Sequence, residues 1–291
     1  MGNDINTVTG QIGLLEELGM VFDDKEKATE ILSDIGYYRL GFYWFPFEKM
    51  FPQKVNRDHV FKDATRFDTV VRLYYFDFDL RHLLLKYISR IEIHLRTVLI
   101  NTMSIHYPKA STWFANDKVV APSYAHSFRK IYDRIFLSPY IKAHHHNHPC
   151  QFAPARKTLE FMTLGEIIDL IASISDVNIR MEISHHFGIR SLKTFDSYLN
   201  AIRRIRNRCA HGGVLYDYKA SIRIASKGPV DLSIVYDRAN LKGAVEVIQY
   251  LVGIISLNRK NQLEQELQRL IDDCKDDLAL YNAICISSGL K

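Results

Sequence analysis

Apolar residues recur at helical spacing over most of the 291-residue chain, and this pattern predicts a succession of amphipathic helices. The longest such stretch covers residues 63–106, where Leu73, Leu80 and Leu84 fall on one apolar stripe. We expect this helix to bend near residues 76–79. Shorter stretches of the same kind predict helices over residues 7–22, 23–36, 124–136, 156–174, 175–187, 239–257 and 261–274.

A further helix is predicted over residues 192–213, and the chemistry discussed below lies at its end. Ser191 suits the N-cap position because its hydroxyl can accept a hydrogen bond from a free backbone N–H of the first turn. The paired glycines Gly212 and Gly213 predict the stop, since glycine readily enters the left-handed conformation that ends helices. The apolar stripe of this helix consists of Leu199, Ile202 and Ile205.

Two stretches do not follow the helical pattern. Residues 138–154 contain three prolines, so we predict a loop there. Residues 221–226 and 232–236 alternate in polarity around a Lys-Gly-Pro turn, which predicts a small β-hairpin after the 192–213 helix. We expect a single multi-helix domain over residues 1–291, with residues 1–61 as a candidate N-terminal helical subdomain.

Composition and cysteine usage restrict the class of protein. The chain is 47% hydrophobic and 24% charged, which is typical of globular proteins and argues against wholesale disorder. Its four cysteines are widely spaced and form no C-x-x-C pair, so a disulfide framework is not expected. No apolar run is long enough to cross a bilayer and the N-terminus is polar, so we expect a cytoplasmic protein with no membrane partner.

The positive charge of the chain is concentrated in one segment. Between Arg190 and His211 there are six lysines or arginines and one acid, a local charge of +5 that equals the formal net charge of the whole chain. Such a cluster is either a solvated helix face or a surface for phosphates. The RNA-binding candidates within it are Arg203, Arg204 and Arg208, together with Arg206.

Arg206, Asn207 and His211 are the catalytic candidates. Histidine titrates near neutral pH, so it can take a proton from a 2′-hydroxyl or give one to a leaving 5′-oxygen. Arginine stays charged and can hold a phosphate through two donors as negative charge builds up. These are the groups needed to cut RNA without a metal ion or any other cofactor.

The spacing of Arg206 and His211 is weak evidence by itself. A second Arg-x4-His pair, Arg180 and His185, lacks the following polar residue and the glycine stop, and we interpret it as a chance match. Residues five apart also lie roughly 140° apart around an ideal helix. Either the helix distorts at the glycines, or Arg206 and His211 meet across the two-fold axis of a homodimer.

The segment R-N-R-C-A-H at residues 206–211, followed by G-G-V-L-Y-D, resembles the R-x4–6-H motif of the HEPN superfamily in the form found in Abi-like (abortive infection) proteins. Segments at residues 36–40, 73–81, 90–96 and 159–167 resemble the same family in the same order. The resemblance covers residues 14–257. It implies an all-α fold with a HEPN-like helical bundle core, metal-independent RNA cleavage and a role in phage defence.

The resemblance also has implications for one more pair of residues and for partners. Glu92 and Arg96 are spaced as an ordinary i, i+4 ion pair on a helix surface. The resemblance implies that their helix packs beside the motif helix, and Glu92 and Arg96 would then line or orient the site. Relatives of this kind are restrained by a partner, which implies an antitoxin protein or a small regulatory RNA.

The histidine-rich run at residues 144–150 contains four histidines and one cysteine, side chains that suit zinc. The run lacks a second, spaced pair of ligands, so we predict a flexible surface loop there and no metal site. Three hypotheses for function remain: an endoribonuclease that works as a homodimer, a non-catalytic helical RNA-binding or protein-binding scaffold, and a metal-dependent enzyme using this run.

Overall fold

The computed structural model describes residues 7–233 and 237–291, and these residues form an all-α structure, which confirms the predicted fold class. Four isolated β-bridges are present, but the described residues contain no strand. The helices are α1 (Val8–Glu17), α2 (Lys25–Ile35), α3 (Tyr37–Leu40), α4 (Phe67–His106), α5 (Pro122–Ile135), α6 (Pro139–Asn147), α7 (Ala155–Thr158), α8 (Leu164–Ser173), α9 (Val177–His186), α10 (Leu192–Ala210), α11 (Leu241–Ile255), α12 (Leu257–Asp272) and α13 (Leu278–Ser288). Short 3-10 turns lie at Phe45–Phe47, Trp113–Ala115 and Leu159–Phe161.

Helix α4 is the axis of the structure. It has 40 residues and is therefore about 60 Å long at 1.5 Å per residue. It packs against α9, α10, α11, α12 and α13, so most of the later helices are arranged around it. The helix is uninterrupted through residues 76–79, where we expected a bend. Asp77 lies there in the interior, fully buried, because partners from other parts of the chain satisfy its carboxylate.

One hydrophobic core runs through the described part of the chain. Ile12 and Leu15 of α1 and Phe61 before α4 belong to the same buried cluster as Ile205 of α10 and Val247 of α11. The residues of the candidate N-terminal subdomain therefore bury their apolar side chains against the same core as the later helices. The helices α10 and α11, and α11 and α12, are close neighbours around α4.

The prediction of a loop over residues 138–154 was wrong for its first part, because residues 139–147 form helix α6. Pro139 occupies the first turn, where the missing N–H has no helical partner to lose and the fixed φ suits a helix. Proline at this place starts a helix instead of breaking it. The histidine run accordingly lies on a helix, and His144 is buried.

The predicted β-hairpin is also absent from the described residues. The proposed first strand, residues 221–226, bonds to other parts of the chain: the Ala225 N–H donates to Ser197 Oγ at 2.9 Å, and the Ile224 N–H donates to the Arg238 carbonyl at 3.2 Å. Thr194 Oγ1 donates to the Lys227 carbonyl at 2.6 Å, so the turn packs onto α10. Of the proposed second strand, residues 234–236 lie outside the described residues.

The C-terminal part is more helical than the sequence pattern suggested. Helix α12 begins at Leu257, capped by Ser256, and α13 follows after Asp277, which caps it through two backbone N–H groups. Among the helices of the described residues, none combines the length and the apolar character that a membrane crossing requires.

Candidate functional site

Helix α10 begins and ends at the predicted signals. The Ser191 hydroxyl accepts from the Thr194 N–H at the N-terminus. At the other end Gly212 has a φ of +67°, the Gly213 N–H donates to the Arg208 carbonyl at 2.8 Å, and the Gly212 N–H donates to the Cys209 carbonyl at 3.3 Å. This pattern is a Schellman motif, which satisfies carbonyls that the helix end would leave free. It places His211 at the C-cap.

The two sides of α10 differ as its sequence pattern predicts. The apolar stripe is buried: Leu199, Ile202 and Ile205 are at most 1% exposed. Asn207 and His211 are exposed on the other side. Cys209 between them is buried, and burial raises the pKa of its thiol to about 12, an effect that the nearby Asp77 carboxylate strengthens. The motif therefore presents Asn207 and His211 to solvent while Cys209 belongs to the core.

Arg206 is directed toward α4 by a carboxylate that two arginines share. Arg206 Nε lies 4.0 Å from Glu92 Oε2, and Arg96 Nη2 donates to Glu92 Oε1 at 3.3 Å. Arg96 is only 6% exposed, and its Nη2 also donates to the Met162 carbonyl at 3.0 Å. The structure thus brings Glu92 and Arg96 of α4 together with Arg206 of α10, and Arg96 fixes the carboxylate that faces Arg206.

His211 and Asn207 have few contacts. Asn207 Oδ1 accepts from Arg206 Nη1 at 3.4 Å, a long hydrogen bond between exposed side chains. The His211 imidazole forms no hydrogen bond or ion pair with any residue of the described part of the chain. The backbone N–H of His211 donates to the Asn207 carbonyl at 3.0 Å, so the residue is fixed through its main chain. Both ring nitrogens are left available to a ligand.

The other arginines of the cluster differ in how strongly the chain itself binds them. Arg203 Nη1 lies 2.7 Å from Asp169 Oδ1. The Arg208 Nε donates to the Val214 carbonyl, and the Arg208 guanidinium lies 5.6 Å from the centre of the Tyr218 ring. Arg204 Nη1 donates a long hydrogen bond of 3.4 Å to the Ile222 carbonyl, and the Arg204 guanidinium also hydrogen-bonds the Tyr218 hydroxyl, which opposes the effect of burial on the pKa of that phenol. The local charge of +5 read from the sequence is therefore partly compensated.

A buried network that the sequence reasoning missed holds the chain just after the motif. Asp77 Oδ1 accepts from the backbone N–H groups of Leu215 at 2.8 Å and Tyr216 at 2.6 Å. Asp77 Oδ2 accepts from Tyr43 Oη at 2.8 Å and lies 3.2 Å from Arg81 Nε. Burial raises the pKa of the Asp77 carboxyl, while these hydrogen bonds and the charge of Arg81 act in the opposite direction.

Arg81 connects this network to the helix end. A Cβ added to Gly212 would lie 3.5 Å from Arg81 Nη1, so the guanidinium sits beside the left-handed turn next to His211. Arg81 is 6% exposed. An acid and an arginine four residues apart inside an otherwise apolar helix pattern, as in L-Y-Y-F-D-F-D-L-R at residues 73–81, was the signal that could have identified Asp77 and Arg81.

The histidine-rich run is engaged in local contacts. His145 Nε2 lies 2.6 Å from Tyr132 Oη, and Cys150 Sγ lies 3.8 Å from His144 Nε2 and 3.6 Å from His145 Nδ1. Burial and the neighbouring Lys157 lower the pKa of His144. In the part of the chain that the structure describes, no group of three or more His, Cys, Asp or Glu side chains is arranged to hold a metal ion.

The helix end of α10 therefore combines three chemical elements. An imidazole is open to solvent, a guanidinium is oriented by a carboxylate, and further cations lie along the same helix. An imidazole can transfer protons at neutral pH, and a guanidinium can stabilise a phosphate that gains negative charge. Arg206 is directed at α4 by Glu92, and His211 lies at the C-cap of α10.

A model of a protein family, described as Abi-like protein, matches residues 30–217, which is 188 of the 291 residues. The match begins in α2 and ends just after the Schellman turn, so it includes α4, α10, Glu92, Arg96 and the segment from Arg203 to His211. Neither the comparison with curated proteins nor the comparison with solved structures gave a match.

Replacing Asp77 by alanine should destabilise the protein strongly. The change leaves the Tyr43 hydroxyl, two backbone N–H groups and the Arg81 charge buried without their acceptor, so we expect the free energy of unfolding to fall by about 3–5 kcal/mol. Urea unfolding followed by circular dichroism measures it. Asp79→Ala, two residues on and exposed, is the control and should change the free energy by less than about 0.5 kcal/mol. Equal effects would contradict the network's role.

The cysteines should react very differently with a thiol reagent in the native protein. Cys150 is exposed, whereas Cys209 is buried and its pKa is raised to about 12, so its thiol stays protonated at pH 8. We expect iodoacetamide to alkylate Cys150 and to spare Cys209, with mass spectrometry of the digested protein as the readout. Alkylation in denaturant is the control and should modify both. Native labelling of Cys209 at the rate of Cys150 would refute its burial.

Proposed function

The chain belongs to the Abi-like protein family, and on that basis we propose that it acts in abortive infection as a metal-independent endoribonuclease of HEPN type. The observation that carries the proposal is the exposed imidazole of His211 at the end of an arginine-rich helix, which forms no hydrogen bond or ion pair in the described part of the chain. The alternative is a non-catalytic scaffold for RNA or protein, in which His211 only stabilises the helix C-terminus. The imidazole forms no hydrogen bond or ion pair with the described residues, so both of its nitrogens are free for proton transfer, which supports the catalytic role over the structural one.

The proposed reaction uses the RNA's own 2′-hydroxyl as the nucleophile. One nitrogen of His211 removes the proton from the 2′-hydroxyl, and the 2′-oxygen forms a bond to the adjacent phosphorus. The bond between phosphorus and the 5′-oxygen breaks, and the departing oxygen takes a proton from the solvent that reaches this exposed helix end. The products are a 2′,3′-cyclic phosphate and a 5′-hydroxyl, with no oxidation or reduction.

We assign the stabilisation of the phosphorane-like transition state to Arg206. Its guanidinium offers several donors in one plane and can bind two non-bridging oxygens at once. Glu92 orients Arg206 from 4.0 Å, and Arg96 keeps Glu92 in place through its own buried position. Asn207 lies between Arg206 and His211 in sequence and would position the phosphate relative to the imidazole. Glu92 and Arg96 are positioning residues in this scheme.

We further propose that the working site is formed by a homodimer. In one chain Arg206 is directed at α4 while His211 projects from the end of α10, so the two groups would serve one phosphate if they came from different subunits. Two exposed apolar residues support such an interface: Phe78 is 39% and Ile93 is 50% exposed, and each lies within one helical turn of Arg81 or Glu92. A two-fold axis beside the α10 end would bury both.

The remaining arginines have graded roles in RNA binding. Arg204 forms no ion pair with a carboxylate of the described residues, so we propose that it contacts RNA phosphates directly. Arg203 and Arg208 would add positive potential while held by Asp169 and by the Val214 carbonyl. The Arg203–Asp169 pair is exposed, and exposed pairs contribute little, so a phosphate could replace Asp169. An antitoxin protein or a small regulatory RNA would act by covering this surface.

His211→Ala should abolish cleavage without disturbing the fold. Loss of a general acid–base group lowers turnover by about 10²–10⁴-fold. Because the imidazole is exposed and forms no hydrogen bond or ion pair with the described residues, the free energy of unfolding should change by less than about 0.5 kcal/mol. A fluorescent RNA cleavage assay and urea unfolding measure the two effects. The exposed His126, replaced by alanine, is the control and should retain activity. Unfolding of His211→Ala would favour the scaffold alternative.

The chemistry can be tested through its products. Cleavage should persist in EDTA, and mass spectrometry should find a 2′,3′-cyclic phosphate and a 5′-hydroxyl, because the nucleophile is the RNA's 2′-oxygen. A substrate with a 2′-deoxy nucleotide at the cleaved position should be resistant there and still be cut elsewhere. Fragments that end in a 5′-phosphate, or loss of activity in the chelator, would indicate a metal-bound water as the nucleophile.

Mixed dimers test the composite site. Arg206→Ala and His211→Ala homodimers should both be inactive. A heterodimer with one variant in each subunit keeps one intact pair, Arg206 from one subunit and His211 from the other, so it should regain about half of the wild-type activity. Differently tagged chains, purified in tandem, provide the sample. A heterodimer as inactive as its parents, or an active monomer in light scattering, would rule out the shared site.

A further inference from the structure

A cavity of 240 Å³ lies beside the helix that carries the motif, on the far side of Arg204 from His211. Residues of α10, the loop over residues 218–225 and the start of α11 form its walls. Alanine side chains at five positions of the wall leave the cavity open. The small side chains that line the cavity are Ala201, Ala220, Ala225, Ala239 and Ala244.

The polar groups of the cavity have unused hydrogen-bonding capacity. Asn200 Nδ2 donates to the Asp196 carbonyl at 2.8 Å, which leaves its Oδ1 free to accept. Ser197 Oγ accepts from the Ala225 N–H at 2.9 Å, which leaves its own hydroxyl hydrogen free to donate. Tyr218 contributes an aromatic side chain to the wall. The cavity therefore offers apolar and aromatic surface together with one free acceptor and one free donor.

The rim of the cavity is positively charged. Lys193 and Arg204 of α10 and Arg223 of the loop line it. Neither Lys193 nor Arg204 forms an ion pair with a residue of the described ranges, and Arg204 hydrogen-bonds the Ile222 carbonyl and the Tyr218 side chain. The acid of the lining, Asp196, lies 3.2 Å from Arg180 Nη2 and is engaged there. Arg223 is paired loosely, with its Nε 3.8 Å from Asp237 Oδ1.

A ligand that fits this arrangement is flat and apolar on its faces, has hydrogen-bonding edges and carries a nearby anion. A nucleotide has all of these properties: proteins hold bases by stacking on aromatic rings and hold phosphates on lysine and arginine.

The cavity and His211 lie along the same face of α10. Arg204 precedes His211 by seven residues, which is about 10 Å along the helix and about 20° short of two full turns, so both lie on one face of α10.

We propose that this cavity binds one nucleotide of the RNA substrate, with the base inside and its phosphate on Arg204, at a fixed distance from the cleaved bond. The cavity would give the enzyme a preference for one base a few nucleotides from the site of cleavage. This inference rests on the proposed function, because it takes RNA as the ligand that reaches from His211 to Arg204.

The test measures binding without cleavage, in a His211→Ala background. A short labelled RNA is scanned with one abasic nucleotide at each position, and binding is followed by fluorescence anisotropy. One abasic position should weaken binding by about tenfold, as expected for loss of one stacked base. Ala220→Leu, which fills the cavity, should weaken binding of the intact RNA and remove this positional effect. Ala172 is exposed on α8, and Ala172→Leu is the matched control, which should retain both the affinity for the intact RNA and the sensitive position.

A second variant keeps the proposal testable if Ala220→Leu does not fold. Arg204→Gln should lower the slope of log affinity against log salt by about one, which is the loss of one phosphate contact. Arg129→Gln, on the surface of α5 and paired with Asp133, is its control and should leave the slope unchanged. The proposal would be overturned if no abasic position weakened binding, or if the sensitive position were still sensitive in Ala220→Leu.

A free nucleotide would offer the cavity the same base and phosphate as a nucleotide within RNA. Titration calorimetry with each of the four 5′-monophosphates distinguishes these two ligands. We expect binding far weaker than that of the RNA. A monophosphate that binds tightly and depends on Ala220, together with a flat abasic scan, would assign the cavity to a free nucleotide and overturn the RNA assignment. A sensitive scan in a protein whose wild type cuts no RNA would instead reject the proposed cleavage and leave the cavity as an RNA-binding site.

Discussion

The buried carboxylate of Asp77 is the interaction on which the arrangement of the candidate site depends. It lies on α4, the longest helix, and accepts hydrogen bonds from the main chain at Leu215 and Tyr216, just past the end of α10. A charge removed from water is tolerated only where donors and opposite charge replace the water, and the Asp77 carboxylate accepts from two amides and a tyrosine hydroxyl and pairs with the charge of Arg81. The segment that follows His211 is fixed to the core by these bonds.

A second acid on the same helix acts on the other end of the motif. Glu92 lies between the guanidinium groups of Arg96 and Arg206, and Arg96 is anchored to the Met162 carbonyl. Asp77 and Glu92 are fifteen residues apart on α4, so this one rigid helix determines the position of the chain on both sides of Asn207. The geometry at the site is a property of the α4–α10 pair, because neither helix alone orients both Arg206 and the turn after His211.

The positive charge available to a ligand is smaller than the sequence indicates, because some of the arginines are paired within the chain. The sequence places five net charges between Arg190 and His211, yet Arg203 pairs with Asp169 and Arg208 binds the Val214 carbonyl. Arg206 faces Glu92 at 4.0 Å, so the cations of this segment without an ion pair among the described residues are Arg190, Lys193 and Arg204. Lys193 and Arg204 line the small cavity, and Arg204 lies on the face of α10 that leads to His211, along which the proposed RNA strand would run.

The sequence by itself determined the ends of helix α10 and its buried face, because these depend on local hydrogen bonds and on the spacing of apolar residues. Ser191 and Gly212 set the limits of α10, and Leu199, Ile202 and Ile205 set its buried face, because capping and helical spacing act within a few residues. Proline misled the prediction at Pro139, since its effect on a helix depends on whether it occupies the first turn or a later one.

Only the tertiary structure decided which polar residues are buried and with whom they pair. The sequence predicted a bend near residues 76–79 and gave no role to Asp77, the spacing of Glu92 and Arg96 was that of an ordinary surface pair, and residues 221–226 had the pattern of a strand. Their partners lie far away along the chain, 138 residues away for Leu215 and 66 for Met162, where periodicity carries no information. Such bonds form only when packing has excluded water, so the fold has to exist before these side chains acquire their roles.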